Sequence, residues 1–478
     1  MKVTVNPSHV LGAYADPTCW QNSTLRYSPP EDFPAYAEKE IGRAKIMRTW
    51  ITLDEYWDYK TGIYYPDYDI GVKRYSDAEL HYLYDWKNIR PAPSGTKFVA
   101  YLTSHSKAAD ELMLNLRRLE REVLDGVITF EQYDEVVENA LVYCKKLAPN
   151  IRWIEVGNEV DIASFGTQTP QEYCTLYVHC YNIVKKLNAR YHWDIPLLVG
   201  GHGLTHPLDA WQYWTDCLTL IKQAIPVPQP MEFYSIHMYD NGNFRRIERD
   251  KRTELYDCLY KTGMVGRMRH ILKEHHALLK KLELPELPLF WDELGRADAT
   301  GSVEDDLYNA AANIICFIAA EEKDFDNVYL YPWCTFHNPV LQMSYTQFLL
   351  NPDGSYAITP NGISVKMMHE LAGDRVEAAV SGAPGFEPEC RAIAVKNGDT
   401  IKVVVANPEQ QAEPLTLELP HGQYAVTGTR VDSAHNNFPA GHGEKTMKPT
   451  AEFLCTGSIS TVLEKNAFVL YEIRPVGK

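Results

Sequence analysis

The sequence predicts an α/β protein: a (β/α)8 barrel over residues 1–374, then an all-β sandwich over 375–478. Three observations carry this reading. Short runs rich in Val, Ile and Tyr alternate with helical patterns in the first part, and nearly continuous apolar strands of this kind indicate a parallel sheet covered on both faces. Composition changes at the boundary: all ten Trp precede Arg375, and of thirty Tyr only Tyr424 and Tyr471 follow it. Beyond it, alternating runs are separated by turn residues, with Asn397-Gly398-Asp399 as a hairpin signal.

Eight strands are predicted for the barrel: HVLGAYA (9–15), AKIMRTW (44–50), KFVAYLT (97–103), RWIEVGN (152–158), PLLVGGH (196–202), EFYSIHMY (232–239), PLFWDEL (288–294) and VYLYPW (328–333). Amphipathic stretches between them read as helices, among them EDFPAYAEKEIG, DELMLNLRRLEREVL, QEYCTLYVHCYNIVKKLN and EDDLYNAAANIICFIAAEE. Eight such units fit a barrel with insertions. A doubly wound sheet is disfavoured, because no strand–GxGxxG–helix opening occurs and GGHG at 200–203 lacks that spacing. The helical stretch NGISVKMMHELAGD ends on Gly373, a stop signal that sets the boundary. In the tail, PLTLELP, YAVTGTRV, GSISTVLE and AFVLYEIR are further short strands, as expected of a sandwich. Residues 1–8, with the alternating MKVTV, can add a strand to that domain.

Composition excludes several classes. The chain of 478 residues is 45% hydrophobic and 23% charged, which excludes disorder and coiled coil. A net charge of −16 argues against a nucleic-acid partner. No apolar run approaches the ~18 residues of a membrane span. MKVTVNPSHV has one Lys and no apolar core, so neither a signal peptide nor a membrane anchor is expected. The ten Cys form no CxxC pair or framework, as expected of reduced thiols in a cytoplasmic protein.

Barrel chemistry sits at the carboxyl ends of the strands, where the loops are free to vary. Polar residues just past the apolar runs are therefore the candidates. The fourth strand ends in Asn158-Glu159, and the seventh holds Glu293 within FWDELG. The second ends near Arg48, the sixth carries His237 and Tyr239, and the eighth ends at Trp333. His105 and His202, at the ends of the third and fifth strands, are further candidates for the pocket lining. Two carboxylates across a barrel mouth suit glycoside hydrolysis, with one protonating the leaving oxygen and one meeting the charge at the anomeric carbon. Bland readings compete: a Glu at a strand end can be a rim salt bridge, Arg48 a buried ion pair, His237 a core histidine and Trp291 a packing residue. The Tyr-rich WDYKTGIYYPDYD is either a substrate rim or a self-packed loop, and EHHALLKK (274–281) reads as a solvated helix face rather than a metal site, since no HExxH or matching carboxylate pattern accompanies it.

The stretches RTW (48–50), WIEVGNEVD (153–161), LLVGG (197–201), IHMY (236–239) and WDELG (291–295) carry a family likeness. With them the barrel resembles clan A of the glycoside hydrolases, and within it is most similar to family 39, the β-xylosidase-type enzymes. Family 39 has Trp-Asn-Glu-Pro at the acid/base, whereas this chain has Gly157-Asn158-Glu159-Val160; Gly before Asn-Glu is similar to family 51, the α-L-arabinofuranosidases. The resemblance implies Glu159 as general acid/base and Glu293 as nucleophile of a retaining exo-glycosidase acting on short oligosaccharides or glycosides. Arg48 and Tyr239 would keep Glu293 ionised, Asn158 would bind the sugar 2-hydroxyl, and Trp333 would floor the sugar ring. The rival outside catalysis is a carbohydrate-binding barrel. No metal or cofactor is expected, and the sandwich is expected to help hold a homo-oligomer together.

Overall fold

The computed structural model describes residues 1–22, 32–70, 97–162, 166–205, 207, 210–239, 263–295, 303–332, 346–350, 354–383, 388–409, 411–437 and 447–476. Eight strands form one parallel sheet: β2 (Trp20–Asn22), β3 (Ala44–Thr52), β6 (Ala109–Arg117), β7 (Ile151–Val156), β8 (Leu198–Leu204), β9 (Tyr234–Tyr239), β10 (Leu289–Gly295) and β11 (Val328–Pro332). β1 (Lys2–Ala13) lies outside it. β4 (Trp57–Asp58) and β5 (Ile63–Tyr64) form a small hairpin after β3, and β12 (Phe348–Leu350) pairs with β13 (Tyr356–Ile358). The sheet order follows the sequence from β2 to β11, and the two ends meet where Asn22 Nδ2 donates to the carbonyls of Asp292 (2.6 Å) and Tyr331 (3.5 Å). This is a (β/α)8 barrel. Phe233 and Phe290 fill its interior near the amino ends of their strands, in one cluster with Met113 and Tyr331, which lie level with Arg48 and Asp292.

Two predicted barrel strands are corrected. HVLGAYA belongs largely to β1, which pairs antiparallel with β14 (Asp374–Ser381) and parallel with β17 (Glu413–Val431) of the other domain. The first barrel strand is instead the short β2, whose Trp-Gln-Asn carries no apolar run to announce it. KFVAYLT is not the third strand. It opens a helix, Phe98–Ala108, that buries Phe98, Tyr101, Leu102 and His105, a spacing of three and four residues that a seven-residue window conceals. The third strand is β6, within the predicted helix DELMLNLRRLEREVL. Its Leu, Met and Glu favour helix in isolation, and burial of Leu112 to Leu116 on both faces overrides that preference.

The helices that cover the barrel follow the expected pattern. Pro170–Tyr191 has Pro at its first position and a capping box in which Thr169 Oγ1 accepts from Glu172 N and the Glu172 carboxylate accepts from Thr169 N. Val303–Ala320 is the helix predicted from EDDLYNAAANIICFIAAEE.

The remaining strands are β14, β15 (Ala392–Asn397), β16 (Thr400–Asn407), β17, β18 (Ala451–Leu463) and β19 (Ala467–Pro475). Their sheet order is β1-β14-β15-β16-β19-β17-β18, and the β1–β17 pairing closes it on itself around Val3, Val5, Val403, Leu417 and Ile473. Barrel plus sandwich is the observed architecture. Among the described residues no helix is long and apolar enough to cross a membrane.

Candidate active site

The site is organised around Arg48, which β3 places in the barrel interior with no exposed surface. Its Nε donates to Glu155 Oε2 at 2.8 Å, its Nη1 to Glu293 Oε1 at 2.8 Å and its Nη2 to Asn158 Oδ1 at 2.7 Å. Nε also lies 3.1 Å from Asp292 Oδ2. One guanidinium thus ties β3 to β7 and β10, the strands that carry the two predicted glutamates. Burial opposes its charge, but the three surrounding carboxyl groups outweigh that and raise its pKa.

The turn after β7 sets the position of Glu159. Gly157 has φ +80°, and a Cβ there would meet Val160 Cγ1 at 3.3 Å and Tyr173 Cε2 at 3.5 Å. Glu159 itself has φ +51°, a left-handed conformation that is uncommon outside Gly and Asn, and its N–H donates to Gly203 O at 3.0 Å. The turn aims the Glu159 carboxyl at His237 of β9, whose Nδ1 lies 2.9 Å from Glu159 Oε1 and 3.5 Å from Glu293 Oε2. One atom from each of Glu159, His237 and Glu293 lies within 4.8 Å of the others. Burial, then the neighbouring Asp161, push the Glu159 carboxyl up to about 8, against the pull of Arg48. Burial lowers the pKa of His237, so its ring is neutral beside that acid. The trio has donor atoms a cation could use, but Arg48 already neutralises Glu293 from 2.8 Å and competes with one.

Five predicted site residues therefore converge: Arg48, Asn158, Glu159, His237 and Glu293. Two others are placed elsewhere. His105 lies on the helix Phe98–Ala108, where its Nδ1 is 2.6 Å from Tyr101 O and burial lowers its pKa to about 4. It is not at a strand end. His202 is on β8, but its ring packs among Tyr173, Tyr213 and Trp214 behind the barrel wall, and burial lowers its pKa to about 3. Tyr239 closes β9 as predicted, its side chain lying outside the described set, as does all of Trp333. Trp291 is a packing residue with no exposure. In the Tyr-rich segment Trp57 packs against Tyr64 and Tyr68 stacks on Phe98, while Tyr65 is exposed.

Sequence reasoning missed the layer beneath. Asn115 of β6 donates to Glu155 Oε2 (2.7 Å) and to Gly157 O (2.6 Å), and Ser235 Oγ donates to Glu155 Oε1 (2.6 Å). Gly203, with φ +61°, leaves room for this layer, since a Cβ there would sit 3.1 Å from His237 Nε2 and 3.3 Å from Glu155 Oε1. Single polar residues inside apolar strands are the signal that could have found them.

No family model and no curated protein matches the chain. Solved structures do. A monomeric β-xylosidase from Caulobacter crescentus superposes with TM-score 0.64 at 14% identity, covering all of both chains. A glucosidase from Croceicoccus marinus gives 0.61 at 16% identity, covering 100% of this chain and 99% of that one. An α-L-arabinofuranosidase from Thermotoga maritima gives 0.61 at 11%, with 99% of each chain covered. The fold is theirs. It extends over barrel and sandwich together.

Proposed function

We propose that this protein is a retaining glycoside hydrolase of the β-xylosidase type that releases sugar units from short oligosaccharides or glycosides. The observation that carries the reading is the pair Glu159 and Glu293, with carboxylate oxygens within 4.8 Å of each other at the carboxyl ends of β7 and β10. A separation of about 5 Å suits attack by one carboxyl on the anomeric carbon, whereas inversion needs room for a water, roughly 6.5–9.5 Å. The fold shared with three glycosidases supports the same reading.

The environments divide the roles. Glu159, with its pKa pushed up to about 8, holds a proton at neutral pH and can give it to the leaving oxygen. Glu293, paired with Arg48, is the carboxylate that attacks. When Glu293 is esterified its charge disappears, and Glu159, now deprotonated, removes a proton from the water that releases the sugar. Asn158, whose Oδ1 accepts from Arg48 at 2.7 Å, is the residue this reading assigns to the sugar 2-hydroxyl. The eight described cysteines are free thiols, which supports action inside the cell.

An α-L-arabinofuranosidase is the second reading, favoured by Gly157 before Asn158-Glu159. A panel of nitrophenyl glycosides, with product stereochemistry read by NMR, separates the two and tests retention. In that panel Glu293→Ala should lose essentially all turnover. Glu159→Ala should keep the first step on good leaving groups and recover with azide. An inverted product, or normal hydrolysis by Glu159→Ala, rejects the mechanism. Binding of a sugar without turnover in the wild type would make the protein a carbohydrate-binding barrel instead.

A further inference from the structure

Beneath the two glutamates lies a second acidic pair that the proposed reaction does not use. Glu155 of β7 and Asp292 of β10 have no exposed surface. Their oxygens are served unequally. Glu155 receives Ser235 on one oxygen and both Asn115 and Arg48 on the other. Neither Asp292 oxygen has a hydrogen-bond donor among the described side chains, although Arg48 Nε lies 3.1 Å from one and His237 Nε2 3.4 Å from the other. What Asp292 shares with Glu155 is a single donor, since Arg48 Nε lies 2.8 Å from Glu155 Oε2 and 3.1 Å from Asp292 Oδ2. Two fully buried carboxyl groups crowding one N–H favour keeping a proton between them, because two anions there would repel in a dry interior.

Charge counting around the pair gives the same result. Arg48 approaches from β3, neutral His237 from β9, Glu293 follows in the chain, and the Tyr331 phenol faces Asp292 from β11. His202, also neutral, lies behind Glu155. Among the described residues, a single cation thus faces three buried carboxyls. We propose that Glu155 and Asp292 share one proton, and that the one negative charge they retain is a positioning device, occupying part of the Arg48 charge and so setting how much remains for Glu293. Asp292 is the protonated member, since Glu155 already has the donors an anion requires. Burial and the Glu155 charge both raise the Asp292 pKa, while Arg48 and its hydrogen bonds keep Glu155 low against its own burial.

The effect on turnover rests on the glycosidase reading; the shared proton does not. In Asp292→Asn the amide N–H replaces the acid proton and Glu155 stays charged. In Glu155→Gln, Asp292 ionises against Arg48 instead. Each single variant thus keeps one anion in the pair, and the double variant keeps none. Each single variant should lower kcat/KM by less than about tenfold, and the double by on the order of a hundredfold more than their product. Infrared difference spectra at neutral pH, wild type minus variant, should show the carbonyl stretch of a buried carboxylic acid lost in both singles.

The proposal is overturned if the single losses simply multiply, or if Asp292→Asn leaves the acid carbonyl band of the wild type in place. A wild type that hydrolyses nothing in the glycoside panel sinks the glycosidase reading instead, and a double variant that fails to fold removes only the kinetic comparison. In both cases the infrared spectra of the single variants decide the shared proton.

Discussion

Glu159 combines a left-handed backbone with a carboxyl whose pKa is raised to about 8, and both features have measurable consequences. As the proposed acid it must be protonated to act, so kcat/KM should fall as pH rises through about 8, and Glu159→Gln should abolish that limb with the turnover. Stability follows with a definite sign. Between the ordinary value of 4.5 and about 8, the folded chain holds a proton that the unfolded chain has released. Its contribution is complete below that window and is lost as pH climbs through it. Glu159→Gln removes the titration, so its melting temperature should exceed that of the wild type near pH 8 and converge with it near pH 4.5. Equal melting temperatures at both pH values would show that Glu159 titrates normally. At this scale the sequence was informative where polar residues follow an apolar run, as Arg48, Asn158, Glu159, His237 and Glu293 do. It was silent on Glu155 and Asp292, whose neighbours in WIEVGN and FWDELG make them look like ordinary members of a strand.

At the scale of elements, the turn after β7 is held from behind by the helix Pro170–Tyr191. Tyr173 on that helix donates its hydroxyl to Val156 O at 3.2 Å, the last carbonyl of the strand before Gly157. Tyr173→Phe removes this hydrogen bond from a buried carbonyl, so it should cost about 1–2 kcal/mol in urea unfolding and lower kcat by loosening Glu159. An unchanged midpoint would mean that packing alone fixes the turn. Gly203→Ala adds a Cβ only 3.1 Å from His237 Nε2 at φ +61°, so it should lower kcat/KM while the fold persists. Far-ultraviolet dichroism beside the kinetics checks both halves of that statement. The strands that shape this region were readable because β3, β7, β9 and β10 are largely apolar runs rich in Ile, Tyr, Trp and Leu, as a doubly covered sheet requires. The swap around Lys97–Arg117 has the opposite origin. Phe98–Ala108 contains aromatic residues that favour strands, β6 contains Leu and Met that favour helices, and only tertiary burial decides between them. His105 was misplaced with its element.

Across the whole molecule, the chain enters through the sandwich, crosses to the barrel and returns at Asp374. β1 fills the gap between β14 and β17, burying Val3 and Val5, and hands over to the barrel where Tyr14 N donates to Gly373 O at 3.0 Å. The two domains also share apolar contacts. Ile314 and Phe317 of the helix Val303–Ala320 belong to the same buried cluster as Val404, Ala406, Phe468 and Leu470 of the sandwich. Arg269 adds an ion pair to Glu389 at 2.9 Å, beside one to Glu322 in the barrel. A sandwich that shares its core with a barrel helix should not unfold by itself, and calorimetry of the full chain should show one cooperative transition. Removing residues 1–13 tests the closure directly. It takes away two valines worth about 2 kcal/mol each and opens the edges of β14 and β17, so the melting temperature should drop and the single transition should persist at the lower temperature. Two separated transitions, with the barrel melting at its original temperature, would show that the sandwich stands apart from the barrel and that the shared cluster transmits no stability between them.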